Sequence, residues 1–306
     1  MKRIVTFFVL EFLCISIISN AAQLRIGVLK IEDAAPVVIA HNDGIFKRNG
    51  IDTKIIYFNS ALERDAALQA NAVDCVITDP VASILLKSSG YDIKIVSVAL
   101  GVSPKDGVFS FLVSPKSNIK TLEDLNNKTL AISKNSIIEY VADRTLSLKH
   151  IKVKKINIRK MPLRVQMLLD SQVDAAILPE PLASYAKFKY AKVVFSDSML
   201  EKSLSQTVWI FNTKFLNKNP DVIKQFKVSY NQAVESINKN PDKYKSTITL
   251  IARVPKAILS IYKIPHFSYF KPLNKDSYRD YQKWLIEKGL LKKPVPYSSI
   301  VYVTSN

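Results

Sequence analysis

From Leu24 onward the sequence alternates short apolar runs of strand character with helical runs, and this alternation constrains the fold more than any other feature. Strands are predicted over residues 25–29, 53–58, 74–78 and 93–99. Helices are predicted between them, over residues 36–47, 62–70 and 81–88. A β-α-β order of this kind is typical of a parallel, doubly wound sheet with helices on both faces.

A second unit repeats this rhythm. Its strands are predicted over 129–132, 153–158 and 175–178, and its helices over 137–148, 162–170 and 181–186. Further strands are predicted after Tyr190, over 192–195 and 207–212, and the remainder from Lys214 to Gly289 is predicted to be mostly helical. The passages that begin at Ser110 and Trp209 resemble each other, since each runs from a strand through a short connector into a helix. A chain that crosses twice between two lobes is expected to show two such passages, so we predict lobe 1 at 23–113 plus 205–306 and lobe 2 at 114–204. The predicted fold class is α/β, with two doubly wound lobes, a two-strand hinge and a ligand cleft between the lobes.

The N-terminal segment has the order of a secretory signal peptide. Two basic residues precede an apolar run over 4–18, and small residues follow it. Cleavage after Ala21 is predicted, which makes 1–21 a signal peptide and the mature protein periplasmic or otherwise extracytoplasmic. The alternatives are a retained membrane anchor and a lipoprotein acylated at Cys14. Against them, the apolar run is short for a span of about 20 residues, and Leu13 stands where a lipobox has a small residue.

Composition excludes several classes of function. The formal net charge is +18, from 44 Lys and Arg against 26 Asp and Glu, but the lysines are spread along the whole chain, which argues against a nucleic-acid partner. The 7 glycines are not spaced as in a phosphate-binding loop. Once Cys14 is removed with the signal, Cys75 is the one remaining thiol, and it is predicted to be buried in a strand. The three histidines are far apart, so neither a metal site nor a cofactor is expected.

Four stretches of the chain resemble a known family of binding proteins. They are Ala-Pro-Val-Val-Ile-Ala-His-Asn-Asp-Gly-Ile-Phe from residue 35, Ala-Val-Asp-Cys-Val-Ile-Thr-Asp-Pro from 72, Val-Asp-Ala-Ala-Ile-Leu-Pro-Glu-Pro from 173, and Trp-Leu-Ile-Glu-Lys-Gly-Leu-Leu from 284. In order and spacing they resemble the SsuA/THI5-like (NMT1-type) periplasmic solute-binding proteins of the nitrate, sulfonate, taurine and thiamine-precursor group. The resemblance implies the type II periplasmic-binding-protein fold and a role in an ABC importer, whose membrane subunits are the implied partners.

The chain departs from the family pattern at two places. Leu178 and Pro179 stand where an aromatic residue commonly precedes Glu-Pro, and Asn71 stands where glycine is usual. Because the first departure touches the expected pocket, the resemblance does not carry over the identity of the ligand.

The loops at the carboxyl ends of the predicted strands are expected to line the cleft. The candidate ligand-binding residues in these loops are Glu32, Asp33, Ser60, Asp79, Ser133, Lys134, Asn135, Ser136 and Glu180. The loop 133–136 supplies hydroxyls, an amide and a lysine at the start of a helix, an arrangement that favours an anionic group. Ser136 with Glu139 also fits a capping box, and Ser60 fits a plain N-cap, so both serines have a structural interpretation as well.

Four of these candidates are acidic, namely Glu32, Asp33, Asp79 and Glu180. Carboxylates repel an anion, so some of them are expected to face a cationic or hydrogen-bond-donating part of the ligand. The expected ligand is therefore a zwitterionic or amine-bearing molecule, for example one that resembles taurine or an aminopyrimidine. Asp79 and Glu180 each precede a proline, and their alternative role is as helix caps.

The leading hypothesis is a monomeric binding protein, not an enzyme, that captures a small polar solute between its lobes and delivers it to the importer. Two other classes stay open at this point: an enzyme of the same fold that acts on a pyrimidine or menaquinone precursor, and an extracytoplasmic sensor module. No nucleophile–base pair is recognisable in the sequence, which disfavours the enzyme. Neighbouring genes for a permease and an ATPase would distinguish the importer from the sensor.

Overall fold

The computed structural model describes residues 23–106 and 109–302. The predicted signal peptide and Cys14 lie outside these residues. Within them, no helix combines the length and the apolar character that crossing a bilayer requires.

Ten strands in the described residues form two five-stranded sheets. The strands are β1 (Leu24–Leu29), β2 (Thr53–Phe58), β3 (Cys75–Thr78), β4 (Ile93–Leu100), β5 (Phe109–Val113), β6 (Thr129–Ile132), β7 (Lys154–Asn157), β8 (Ala175–Pro179), β9 (Lys192–Ser196) and β10 (Thr207–Asn212). The first sheet has the order β2-β1-β3-β10-β4 and the second β7-β6-β8-β5-β9. The strands predicted over 53–58, 129–132 and 207–212 are confirmed to the residue, and the other predicted strands differ by one residue at one end or both.

Each sheet is mixed rather than purely parallel. In the first sheet β1 pairs in parallel with β2 and β3, whereas β10 lies antiparallel between β3 and β4. In the second sheet β6 pairs in parallel with β7 and β8, whereas β5 lies antiparallel between β8 and β9. The chain forms β5 and β10 directly after it crosses from one sheet to the other, so each of them runs opposite to its neighbours. The predicted α/β class is confirmed, with mixed sheets in place of parallel ones.

Helices cover the faces of both sheets. The α-helices of the described residues are α1 (Ala35–Asn42), α2 (Ile45–Arg48), α3 (Ala61–Gln69), α4 (Pro80–Ser88), α5 (Ile137–Ser147), α6 (Met161–Leu169), α7 (Leu182–Phe188), α8 (Thr213–Lys218), α9 (Val222–Lys239), α10 (Pro241–Ile251), α11 (Lys275–Glu287) and α12 (Tyr297–Ile300). Short 3-10 helices occur at Glu32–Ala34, Pro104–Asp106, Glu123–Leu125, Asp197–Met199 and Lys256–Ile258. The single helix predicted over 36–47 is instead α1 and α2, because Gly44 between them takes a left-handed conformation with φ of +67°.

The central strands are buried by these helices. All four residues of β3 are buried, and Cys75 is a free, buried cysteine, as predicted for a strand residue. Among the helices, α2 packs against α9, where the ring centroids of Phe46 and Phe226 lie 5.6 Å apart. Burial of this apolar surface is the main favourable contribution to folding, and close packing holds the strand ends in fixed positions.

The two sheets define two lobes that the chain connects twice. Residues 109–113, which we predicted at the end of lobe 1, form β5 and pair with β8 and β9 of the second sheet. The connection after β4 and the connection before β10 lie against each other, since a Cβ built on Gly101 would come within 2.7 Å of the Ser205 carbonyl oxygen. The 3-10 helices Pro104–Asp106 and Asp197–Met199 in these connections are also in contact. Two adjacent connections between lobes are the arrangement from which hinges are built.

Gly101→Ala is expected to lower the free energy of unfolding by about 2–4 kcal/mol, because Gly101 combines a φ of +84° with this close approach to a backbone oxygen. Gly90→Ala is the matched control, since Gly90 has a φ of +92° but no atom within 4 Å of the added Cβ. The control is expected to lose only about 1–2 kcal/mol, the cost of the left-handed conformation. Urea unfolding of both variants measures the difference, and equal losses would contradict the tight packing of the two connections.

The lobes also touch through α5 of the second lobe and α11 of the first. The Tyr140 hydroxyl donates to Asp280 Oδ2 at 2.6 Å, and Arg144 forms an ion pair with Asp280 at 2.9 Å. The rings of Tyr140 and Tyr281 lie 4.5 Å apart, and the Tyr281 hydroxyl donates to the Leu204 carbonyl in the connection before β10. This interface therefore lies beside the connections, where it joins the two lobes at the hinge.

Candidate functional site

The candidate residues lie at one edge of each sheet, the edge formed by the carboxyl ends of its parallel strands. β1 and β3 are parallel neighbours, so Glu32 and Asp79 follow strands that end at the same edge. β6 and β8 are likewise parallel neighbours, which brings the loops of Ser133 and Glu180 side by side. Because β10 is antiparallel to β3, it begins where β3 ends, and Thr207 joins the same edge.

A cluster of acidic side chains spans the two lobes. Glu32 and Asp33, in the 3-10 helix after β1, are each 4% exposed. The Tyr262 hydroxyl donates a hydrogen bond to Glu32 Oε2, and the Thr207 hydroxyl donates to Asp33 Oδ2 at 2.6 Å. Glu180 of the second lobe lies close enough for its charge to act on both Glu32 and Tyr262. Within residues 23–106 and 109–302, no lysine or arginine forms an ion pair with any of these three carboxyl groups.

Burial raises the pKa values of the two carboxyl groups that the first lobe contributes. The pKa of Glu32 rises to about 8, chiefly because its carboxyl is removed from water, and also because Asp33 and Glu180 are near; the hydrogen bond from Tyr262 opposes the rise. Burial also raises the pKa of Asp33, and the hydrogen bond from Thr207 opposes it. The raised pKa favours the protonated form of Glu32 at neutral pH. A cation bound beside Glu32 would favour the ionised carboxylate and displace that proton.

Ser60 and Asp79 both cap helices. Ser60 Oγ accepts a hydrogen bond from the Glu63 amide at 3.2 Å at the start of α3. Asp79 Oδ1 accepts one from the Ala82 amide at 2.9 Å at the start of α4. The pKa of Asp79 is raised by burial, while the Ala82 hydrogen bond and the charge of Arg64 oppose the rise. The structure thus shows the capping role of both side chains, and their contact with a ligand stays a prediction.

The loop between β6 and α5 is held by its own helix start. Ser136 Oγ accepts a hydrogen bond from the Ile138 amide at 3.2 Å. Glu139 Oε2 accepts one from the Asn135 amide at 2.6 Å, so the glutamate reaches one residue further back than in a standard capping box. The side chain of Lys134 is exposed. Two hydrogen bonds therefore hold the loop at the helix start, and a ligand contact by Lys134, Asn135 or Ser136 stays a prediction.

Arg164, which sequence reasoning missed, lies directly behind Ser133. α6 places its guanidinium inside the second lobe, where the side chain is 0% exposed. Nη2 donates to Ser133 Oγ at 2.5 Å, Nε to the Ile158 carbonyl at 3.0 Å and Nη1 to the Ile177 carbonyl at 2.9 Å. Burial lowers the pKa of Arg164 to about 10, so the group stays protonated at neutral pH. The signal available in the sequence is a lone arginine within the otherwise uncharged α6.

The two lobes are in contact around the acidic cluster. α7 of the second lobe packs against the 3-10 helix Lys256–Ile258, which precedes Tyr262 in the first lobe. α4 and α5 also touch across the lobes. A cavity of about 490 Å³ lies instead beside the connections, lined by Val102, Leu204 and Gln206 among others, and it contains none of the predicted site residues. The predicted site therefore lies next to two contacts between the lobes, one near Tyr262 and one at α4, the helix that Asp79 caps.

Comparison with known proteins agrees with this architecture. The family described as NMT1/THI5 like matches residues 32–244. A protein of Bacillus subtilis (strain 168), named as a candidate aliphatic sulfonates-binding protein, is 23% identical over 247 residues, which are 78% of this chain and 73% of that protein.

Solved structures with the same fold extend the likeness to nearly the whole chain. The periplasmic aliphatic sulphonate binding protein SsuA from Escherichia coli aligns with a TM-score of 0.80, at 19% identity and over 92% of each chain. The alkanesulfonate-binding protein SsuA from Xanthomonas axonopodis pv. citri, bound to MOPS, aligns with a TM-score of 0.73, at 19% identity, over 92% of this chain and 98% of that one. The predicted periplasmic-binding-protein fold with two α/β lobes is confirmed.

Proposed function

The chain belongs to the NMT1/THI5-like family, and we propose that it is the extracytoplasmic solute-binding protein of an ABC importer. It captures a small zwitterionic molecule between its lobes and delivers it to the membrane subunits of the importer. The observation that carries the proposal is the cluster of Glu32, Asp33 and Glu180, which lies between the lobes and has no ion-pair partner in the described part of the chain.

The acidic cluster requires a cationic or strongly donating group on the ligand. A buried carboxyl without a charged partner is unfavourable, and the raised pKa of Glu32 reflects this. A bound ammonium group supplies both the missing positive charge and several N–H donors. We therefore assign the amine end of the ligand to the space between Glu32, Asp33 and Glu180.

The acceptor-rich end of the ligand belongs at the loop 133–136. This loop opens α5, a helix of 11 residues, whose dipole favours an anionic group near its start. Because β6 and β8 are adjacent, the loop lies next to Glu180. Neighbouring strands are about 5 Å apart, so about two or three carbon atoms between the amine and the acid group match the spacing.

The relatives support an anionic sulfonate at this end. The two solved structures described above are named as sulphonate- or alkanesulfonate-binding proteins. The ligand of the second, MOPS, joins a sulfonate to an amine nitrogen through a short alkyl chain. A short aminoalkanesulfonate such as taurine combines the two charges in the same way. We propose a ligand of this class.

The proposal is binding without catalysis. In the described residues the one cysteine, Cys75, is a buried core residue of β3 rather than an exposed nucleophile. Export through the predicted signal peptide at 1–21 would place the protein outside the cytoplasm, where a monomer meets the importer.

Titration calorimetry with four small molecules tests the ligand class. Taurine and MOPS carry both charges, ethanesulfonate carries the sulfonate alone, and ethanolamine carries the amine alone. We expect taurine to bind at least about tenfold more tightly than either single-charge compound, because each end of the zwitterion makes charged hydrogen bonds worth about 1.5–3 kcal/mol.

Two results of this titration would count against the proposal. If ethanesulfonate binds as tightly as taurine, the acidic cluster does not contact the ligand. Failure of all four compounds to bind would reject the ligand class. Uptake of labelled taurine by cells of the source organism with and without the gene separately checks delivery to an importer.

A further inference from the structure

Two arginines are buried in the described residues, and only one of them is neutralised by a carboxylate. Arg64 in the first lobe forms an ion pair with Asp65 at 2.8 Å. Arg164 in the second lobe is 0% exposed and forms no ion pair with any described residue. A guanidinium cannot shed its proton at neutral pH, so the second lobe carries an uncompensated positive charge in its interior.

The hydrogen bonds of Arg164 direct the hydroxyl of Ser133. Ser133 Oγ accepts from Arg164 Nη2 at 2.5 Å. A serine hydroxyl has one hydrogen, and since its oxygen faces the guanidinium, that hydrogen points away from Arg164. No acceptor for it is found in the described part of the chain. Ser133 directly follows β6, at the end of the sheet that also carries Glu180 after β8, so this donor lies beside the candidate site.

We propose that Arg164 is a positioning residue for the anionic end of the ligand, an inference that rests on the proposed function. It acts through Ser133, whose hydroxyl it fixes as a donor toward the site, and it adds an unneutralised positive charge directly behind that hydroxyl. A donor polarised by a cation in a low-dielectric interior binds an anion more strongly than an isolated hydroxyl does. The group that fits is a sulfonate, carboxylate or phosphonate.

A purely structural role for Arg164 makes a different prediction. The guanidinium also donates to the carbonyls of Ile158, directly after β7, and Ile177, in the middle of β8. If Arg164 only joins these segments, its replacement lowers stability but does not change the preference between charged and uncharged ligands. The ratio of two affinities therefore separates the two roles.

The test compares taurine with 2-aminoethanesulfonamide, which has the same amine and nearly the same shape but no negative charge. The parent, Ser133→Ala, Arg164→Gln and Arg164→Lys are titrated with both compounds by calorimetry. Arg159→Gln, which removes an exposed arginine from the same lobe, is the control for a simple loss of charge. Thermal melting shows which variants are folded.

We expect Arg164→Gln to weaken taurine binding about tenfold to hundredfold and sulfonamide binding no more than about threefold. Ser133→Ala is expected to weaken taurine binding about tenfold and to spare sulfonamide binding in the same way. Arg164→Lys is expected to bind taurine with an affinity between those of the parent and Arg164→Gln, because an ammonium keeps the charge but not the planar fork that holds Ser133. Arg159→Gln is expected to change neither affinity. Ser133→Ala and Arg164→Lys decide the question if Arg164→Gln does not fold.

The outcomes separate this inference from the function on which it rests. If the parent prefers taurine and the Ser133 and Arg164 variants keep that preference, the role of Arg164 is overturned while the proposed function stands. Equal losses for both compounds have the same meaning, since they indicate a structural role. A parent that binds neither compound overturns the proposed ligand class and this inference together.

Discussion

Glu32→Gln is expected to stabilise the ligand-free protein by about 3–5 kcal/mol at pH 8 and to leave its stability nearly unchanged at pH 4.5. Burial, with the nearby charges of Asp33 and Glu180, raises the pKa of Glu32 to about 8 in the folded protein, from an ordinary value of 4.5. A carboxyl whose pKa is higher in the folded protein than in the unfolded chain binds its proton more tightly when the protein is folded. Its contribution to the free energy of unfolding is therefore complete only at pH values below the pKa of the unfolded chain. That contribution is lost as the pH rises from 4.5 to 8. Glutamine stays uncharged over this range, and its carbonyl also accepts a hydrogen bond from Tyr262.

Urea unfolding at pH 4.5 and pH 8 measures this effect for the parent and the variant. The parent should lose several kcal/mol between the two pH values relative to Glu32→Gln, after correction for the other groups that titrate. Glu201→Gln, at an exposed glutamate, is the control and should follow the parent at both values. Parallel pH profiles for the parent and Glu32→Gln would show that Glu32 is ionised like an exposed glutamate, which would remove the main support for a cation-binding cluster.

Glu180→Gln is expected to weaken taurine binding about tenfold to hundredfold without lowering the melting temperature. Glu180 contributes the carboxylate of the second lobe to the acidic cluster, so it meets the amine end of the ligand only when the lobes are together. In the ligand-free protein Glu180 Oε2 accepts a hydrogen bond from the Ser184 amide at 3.2 Å, and the glutamine carbonyl makes the same bond. The substitution therefore removes the charge and keeps the local structure.

Asp79→Asn tests whether Asp79, the other candidate carboxylate that precedes a proline, contributes to the same amine site. Asp79 caps α4, asparagine caps helices about as well, and the charge of Arg64 already acts on Asp79. Calorimetry is expected to show a loss of no more than about threefold for this variant. A loss as large as that of Glu180→Gln would move the amine site toward the end of β3, and full affinity in Glu180→Gln would place it away from the second lobe.

The positions of the strands could be predicted because they depend on local patterns. β2, β6 and β10 agree with the sequence prediction to the residue, since each is a short apolar or alternating run bounded by turn residues. The direction of β5 and β10 could not be predicted from the same patterns, because a strand has the same residue pattern in either direction. The break after α1 was missed although Asp43-Gly44 is a turn sequence, because apolar residues continue on both sides of it.

The capping residues of the site were predictable for the same reason. Ser60 and Asp79 bond to amides three residues away, so their roles follow from local sequence. The partners that set the charge of the site are distant in the chain: Tyr262 contacts Glu32 across 230 residues, and Thr207 contacts Asp33 across 174. Such pairs depend on tertiary packing and leave no periodic signal in a single sequence.

The place of β10 in the first sheet has a consequence for the order in which the protein is made. β10 lies between β3 and β4, and it is synthesised after every strand of the second sheet. Until it emerges, β4 has no partner in its own sheet, and the first lobe lacks the strand that joins its two parts. A nascent chain therefore cannot complete the sheet of the lobe that it begins first until the strands of the second sheet and then β10 have been made. Under the export that we propose, late completion of the N-terminal lobe would keep the chain unfolded for longer and so competent for translocation.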